Sequence, residues 1–465
     1  MLENTTIRAA APTGAARPSV TVLVALFAIY LFSSVDRWVF GILAQPIKVD
    51  LVLSDAELGF LNGFAFNAVL LAAGFPMARL TDKGSRVTIL SVCVGFWSLM
   101  TGLSGVCVNF IQLSLARMGV GVGEAACLPA SHSLITDYFP PNERTKALAF
   151  YGLGYPLGAV LGSAIGGVVA DHWGWRAAFY VLGVPGIALA LLARVIIKEP
   201  KRGQFDVGVD DDPLLAQPIS FREVWLLMWR SPALRHMTIA MALATFFTVP
   251  TSSFLGAYLV RKFALSYTDT GLVVGMTMMF GATISTIVGG GYIAQWLAKR
   301  NERWLLWFPA ITVGISTPLF VIALAQTNWF GLSIWMFLAA LAHATYLAPC
   351  YTVLHNAMPP GGRAKAVVIV QAIMGLVGFS ISPLLAGAGM DLIAAGLFGD
   401  YAPQGFAAAC PGGQAITGAA AALDATCRKA VVDATQIVMI GTSALIIWPA
   451  WHFFLAGRGL KQPAR

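Results

Sequence analysis

Apolar residues run along this chain in long blocks, without the one-sided patterns of helices that face water. The stretches 20–43, 87–108 and 237–258 are each long enough to cross about 30 Å of hydrocarbon as a helix rising about 1.5 Å per residue. Polar breaks divide the chain into twelve such segments: 20–43, 58–80, 87–108, 110–139, 144–170 and 176–197, then 236–260, 270–297, 304–325, 330–358, 363–395 and 431–454. One such run could be a buried helix of a soluble protein; a dozen require a bilayer. The pattern predicts an all-α integral membrane protein with a cytoplasmic tail over 1–18, a six-helix bundle over 19–197 and a linker over 198–235. A second six-helix bundle over 236–456 and a cytoplasmic tail over 457–465 complete it.

Composition agrees with this reading. Residues are 57% hydrophobic and 11% charged, with mean hydropathy +0.74, against roughly a quarter charged in soluble chains. The net charge of +8 does not mark a nucleic-acid partner, because of where it lies. Of 30 basic residues, 22 fall in the termini and every second connection, 6 in the opposite set and 2 inside spans. That asymmetry places both termini in the cytoplasm and makes the number of spans even. The first apolar run is too long for a signal peptide and no small-residue cleavage site follows it. The expected location is the inner membrane, as a multi-pass monomer.

An internal repeat supports the division. Pro140-Pro141-Asn-Glu-Arg144-Thr-Lys146-Ala147 recurs 219 residues later as Pro359-Pro360-Gly-Gly-Arg363-Ala-Lys365-Ala366, each copy between a fourth and a fifth span. Two parallel halves with a substrate site at their interface is a transporter architecture. The linker contains the acidic run Asp210-Asp211-Asp212, and Trp225 and Trp229 lie one turn apart, as in an interfacial helix or one packed on the protein. Gly154, Gly158, Gly162 and Gly166 recur every four residues in the fifth span, a face for close helix packing or for a moving seam. Cys410 and Cys427 share the last exterior loop, where a disulfide or two thiols are both open readings.

Four charges of fixed sign lie deep in the spans: Asp36, Arg37, Arg117 and Glu124. Each costs about 2.5–3.5 kcal/mol on insertion scales, so their retention needs a reason. Arg117 and Glu124 are two turns apart on one helix face, and Asp36 reaches a similar depth. Asp36 and Glu124 are the candidate proton carriers; Arg37 and Arg117 are their counter-ions and candidate binders of an anionic head group. The pairing among the four stays open, and mutually satisfied structural pairs are the competing reading. The second half has no such charge at matching depth; the repeat offset from Glu124 lands on His343, an accessory proton site or a hydrogen-bonded packing histidine. Phe246, Phe247, Phe254, Tyr258, Met276, Met278, Met279 and Phe280 offer an apolar wall suited to an amphiphile.

Several motifs resemble the major facilitator superfamily, and within it bacterial Spinster-like transporters. They are Asp36-Arg37, the run Arg117-Met-Gly-Val-Gly-Val-Gly-Glu124-Ala-Ala, Asp137-Tyr-Phe-Pro140, Trp173-Gly-Trp175-Arg176-Ala-Ala-Phe and Lys198-Glu-Pro. Arg79-Leu-Thr-Asp82-Lys83-Gly-Ser-Arg86 resembles the superfamily's G-x-x-x-D-R-x-G-R loop, with Ala78 and Ser85 replacing glycines. The resemblance implies twelve helices in two pseudo-symmetric bundles and proton coupling at Asp36 and Glu124; animal relatives export lysophospholipids and sphingosine-1-phosphate, which makes a lysolipid- or sphingolipid-like anion the expected cargo without fixing it. Asp82, Lys83, Arg86 and Arg144 form the implied cytoplasmic gate, with Asp82 and Arg86 as a charge latch. Proton symporters of hexuronate or aromatic acids share the acid–arginine pair and are the alternative, with a non-transporting sensor on the same fold a further one. Gly162-Ser-Ala-Ile-Gly166-Gly167 resembles an antiporter signature with Ser163 in place of proline, so direction stays open.

Other chemistries lack their residues. No phosphate-cradling G-x-x-x-x-G-K-[ST] occurs, and the six histidines and six cysteines show no metal-ligand spacing. No enzyme activity, metal or other cofactor is expected; the expected partners are the lipid bilayer, protons and a small organic anion or amphiphile.

Overall fold

The structure, a computed structural model, describes residues 16–203, 205, 219–359, 362–399, 401–416 and 418–460, with backbone alone at 16–19, 141, 142, 145, 278 and 279. The tail residues 1–15 and 461–465, the acidic run at Asp210–Asp212 and the side chains of Met278 and Met279 lie outside the described residues.

All regular structure among the described residues is helical. Eleven helices are long and apolar enough to span: Val20–Asp50, Asp55–Lys83, Arg86–Ser104, Lys146–Trp173, Trp175–Ile196, Pro232–Phe263, Tyr267–Ala298, Trp304–Ala325, Trp329–Ala357, Arg363–Phe398 and Ala421–Gly459. The remaining expected span is present but broken, as Phe110–Glu124 and Cys127–Tyr138. Here the expectation of an uninterrupted fourth span is corrected. Pro129 has no N–H and its ring clashes with the carbonyl four residues back, so the helix opens at Ala125 and Ala126. The tenth span repeats the device. Pro349, 220 residues beyond Pro129, leaves a short 3₁₀ turn over Ala344–Tyr346, directly after His343.

The internal repeat has a matching geometry. Arg144 Nε donates to the carbonyls of Thr136 and Phe139, both at 3.1 Å, and Arg363 Nε donates to those of His355 and Met358 at 3.1 and 3.3 Å. Asn109 and Asn328 cap the fourth and tenth spans in the same way, accepting from Gln112 N at 3.0 Å and Gly331 N at 2.7 Å.

The two halves press together at the end of the bundle that the basic residues assign to the exterior. Asp391, at the end of the eleventh span, accepts from the N–H groups of Asp55 and Ala56 at 2.9 and 2.8 Å, where the second span begins. Reciprocally, Asp171 at the end of the fifth span accepts from Tyr267 N and Thr268 N at 3.0 and 2.7 Å, where the eighth begins. Each carboxylate thus satisfies the orphan donors and positive end of a helix in the other half. Beside the first cap, buried Asp55 takes Lys48 Nζ at 2.7 Å from its own half and Arg261 Nη2 at 2.6 Å from the other.

Small residues allow that approach. A Cβ on Gly59, Gly387, Gly167 or Gly271 would sit between 2.0 and 2.2 Å from a backbone oxygen of the opposite half. The face of Gly154, Gly158, Gly162 and Gly166 serves another contact: it packs on Leu31, Val35 and Val39 of the first span, within the same half. It therefore seats the helix that carries Asp36 and Arg37.

The linker contains a helix, Phe221–Arg230, capped by Ser220 and Glu223, with Trp225 and Trp229 stacked at 5.0 Å and exposed. Lys365 binds it by donating to the Ile219 carbonyl. In the last exterior loop Cys410 and Cys427 are joined as a disulfide.

Candidate functional site in the bundle centre

Asp36, Arg37, Arg117 and Glu124 come together as two ion pairs. Arg37 donates from Nε and Nη2 to Glu124 Oε2 at 2.8 and 2.5 Å, and Ser33 donates to the same oxygen at 2.9 Å. Arg117 Nη1 reaches Asp36 Oδ2 at 3.2 Å, while Thr101 donates to Asp36 Oδ1 at 2.9 Å. Both guanidiniums lie over the Phe66 ring, Arg37 at 5.0 Å and Arg117 at 5.2 Å from its centre. Such ring faces stabilise a cation where water is scarce.

The pairs differ in access. Asp36 and Arg117 are buried, with side chains 4% and 2% exposed. Glu124 is enclosed as well, but the Arg37 side chain is 26% exposed. Two buried polar atoms of the quartet have no hydrogen-bond partner among the described residues: Glu124 Oε1 and Arg117 Nε. The break after Glu124 follows from Pro129, so the carboxylate sits at the open end of a half-helix.

Arg37 and Arg117 line a cavity of about 260 Å³ between the halves, with Phe66, Asn62, Asn67 and Ser253. It adjoins a second cavity of about 630 Å³; Trp38, Tyr155, Ser252 and Phe379 line both. The second is mostly apolar, walled by Leu153, Ile287, Phe320 and Leu347, with His343 and Thr248 among its few polar groups. His343 is buried, with Nε2 2.8 Å from Thr248 Oγ1 and Nδ1 3.2 Å from Ser316 Oγ. The expected apolar wall is corrected. Phe247, Phe254 and Tyr258 are packed inside the second half, while Met276 and Phe280 are exposed away from the cavities.

The expected Asp82–Arg86 latch is also corrected. Arg86 turns inward to pair with Asp137 and, at 2.7 Å, with Glu199, whereas Asp82 and Lys83 are exposed and form no ion pair among the described residues. Arg86 and Asp137 belong to the first half, and Glu199 opens the linker that follows it. The residues that the sequence reading passed over are Ser33, Thr101 and Phe66. Ser33 lies one turn before Arg37 and could have been found by helical spacing; Thr101 and Phe66 come from other helices and carry no local signal.

Comparison with known proteins gives the family and the fold. The family model of the Major Facilitator Superfamily matches residues 26–323. An MFS-type efflux pump of Mycolicibacterium smegmatis is 30% identical over 74% of this chain and 79% of its own length. A probable L-galactonate transporter of Escherichia coli is 27% identical over 61% of this chain and 63% of its own. A crystal structure of a bacterial homologue of the human lysosomal transporter Spinster, inward-facing and unoccupied, superposes with TM-score 0.88 at 28% identity, covering 96% of this chain and 98% of that one. With its motifs, helices and central charge quartet in place, the chain belongs to the major facilitator superfamily and, within it, to the Spinster-like branch.

Proposed function

We propose that this protein is a proton-coupled secondary transporter that moves an amphiphilic organic anion across the inner membrane by alternating access. One observation carries the reading: a partly exposed arginine holds a buried carboxylate at the junction of a small charged cavity and a larger apolar one. An anionic head group entering the charged cavity competes for Arg37. Glu124, stripped of its counter-charge inside the bundle, then takes a proton, because burial penalises the charged form. Arg117 holds the field positive on the same wall, and Asp36 keeps Arg117 in place. The apolar cavity accepts a hydrocarbon tail.

Exterior closure by the two aspartate caps and the Lys48–Asp55–Arg261 cluster supports an inward-open resting state, in which this cavity loads or discharges on the cytoplasmic side. A sugar-acid anion is the second reading, favoured by the L-galactonate relative; it needs the charged cavity alone. The two separate in a competition assay on purified protein with lysophospholipids, sphingoid phosphates, sugar acids and aromatic acids. The amphiphile reading expects affinity to rise with tail length for one head group. Equal binding of tailless and tailed anions overturns it in favour of the sugar-acid reading.

A further inference from the structure

A groove of about 610 Å³ lies away from the central cavities, between the ninth and twelfth spans. Its walls are Trp304, Trp307, Ile311 and Pro318 on one side and Trp451 and Phe454 on the other. From Trp304 to Pro318 the ninth span rises about 21 Å, more than the roughly 15 Å of one bilayer leaflet and short of a full crossing. It therefore fits a lipid chain of one leaflet better than a spanning peptide.

The mouth of the groove is basic. Arg303 makes no ion pair and no side-chain hydrogen bond among the described residues; its guanidinium lies 5.7 Å from the Trp307 ring. Lys299 and Arg300 stand in the same turn, Arg300 over Trp296 at 4.6 Å. A half-buried, unpaired cation beside an aromatic-walled slot needs an anion at headgroup level. A zwitterionic lipid offers a phosphate too, but brings its own cation into a mouth that already holds Lys299, Arg300 and Arg303.

We infer that this groove is a specific site for an anionic phospholipid, with one acyl chain between the ninth and twelfth spans and its phosphate on Arg303. The site is separate from the transport cavity and independent of what that cavity carries. Charge and hydrocarbon each contribute, so each has its own variant. Arg303→Gln removes the charge. Gly314→Leu fills the slot, since Gly314 lines it and a Cβ there meets Ala450 and Ile447 only at 3.7 and 3.9 Å.

Native mass spectrometry of the whole protein, titrated with phosphatidylglycerol or phosphatidylcholine of matched chains, tests this. The wild type is expected to retain phosphatidylglycerol preferentially, and Arg303→Gln to weaken it about fivefold, the worth of one basic residue near an anionic surface. Gly314→Leu is expected to weaken it as well. Equal retention of the two lipids by the wild type overturns the proposal. So does loss in Arg303→Gln with no change in Gly314→Leu, which would leave the lipid on the basic edge outside the groove. The arginine variant disturbs only the contact with Trp307 and remains decisive if the leucine variant fails to fold.

Discussion

Arg37 commits two donors to one oxygen of Glu124, at 2.8 and 2.5 Å, and the other oxygen, Oε1, has no hydrogen-bond partner among the described residues. A carboxylate bound on one side and bare on the other, inside a helical bundle, is held by a single cation. Remove that cation and the charge becomes expensive; add a proton and the arginine is free for an anion. Glu124→Gln should therefore abolish gradient-driven accumulation while leaving substrate binding within about tenfold of wild type. Equilibrium binding and counterflow, measured side by side, check the split.

The second pair answers differently. Asp36 and Arg117 are both buried and Arg117 anchors no exposed surface. Arg117→Ala leaves Asp36 uncompensated and should destabilise the protein by about 3–5 kcal/mol. Adding Asp36→Asn to it should recover most of that loss. Thermal unfolding of the three variants in one detergent reads this; an Arg117→Ala protein as stable as wild type would show that the pair carries no structural weight.

On the proposed inward-open reading, exterior closure rests on Asp171 and Asp391, each capping a helix of the other half. Asp391→Asn weakens one cap and Asp171→Asn the other, so either should populate the outward-open form more, and the pair together more still. Spin labels on Val106 and Thr327, in exterior turns of the two halves, should report a longer distance population in each variant by pulsed electron paramagnetic resonance. An unchanged distribution in the double variant argues against the caps as the closing device.

Much of this was legible in the chain. Continuous apolar blocks set the spans, and the Pro-Pro…Arg repeat at 140 and 359 set the pseudo-symmetry, because an arginine that caps its own preceding helix is a local device. The four charges within the spans announced themselves because each is costly in hydrocarbon. Their pairing did not: Arg37 to Glu124 and Arg117 to Asp36 depends on the rotation of two helices about each other, which no spacing within one helix encodes. The latch was misread for the same reason, since Asp82 lies four residues from Arg86 in sequence while Asp137 and Glu199 reach it through tertiary packing. Pro129 and Pro349 were the available signals for the two helix breaks.

The Arg86 cluster has a pH signature. Partial burial pulls the Glu199 carboxyl upward, but donation from Val87 N–H, Arg86 and Ser85 outweighs it and holds the group below the usual glutamate range. A folded-state value below the unfolded one adds stability above the ordinary carboxylate titration, lost as pH falls through the lowered value. Wild type should therefore lose more stability than Glu199→Gln as pH falls from neutral to below about 4, through the lowered value. Parallel slopes of melting temperature against pH would contradict this.

Close packing of the first and fifth spans positions Asp36 and Arg37. A Cβ on Gly158 or Gly162 meets first-span backbone oxygens at 2.5 and 2.6 Å, so Gly162→Val should cost about 1–3 kcal/mol and impair transport without touching a charge. Gly441→Ala, where no atom lies within 4 Å, is the control expected to behave as wild type.

The central claim is that Glu124 carries the coupled proton, and proteoliposome flux under an imposed pH gradient tests it most directly. Wild-type protein should accumulate its anion when the gradient is present and only equilibrate it when the gradient is collapsed; Glu124→Gln should equilibrate in both conditions, at the same rate. If Glu124→Gln still accumulates substrate with the gradient, the proton travels elsewhere and the account given for Arg37 and Glu124 is wrong.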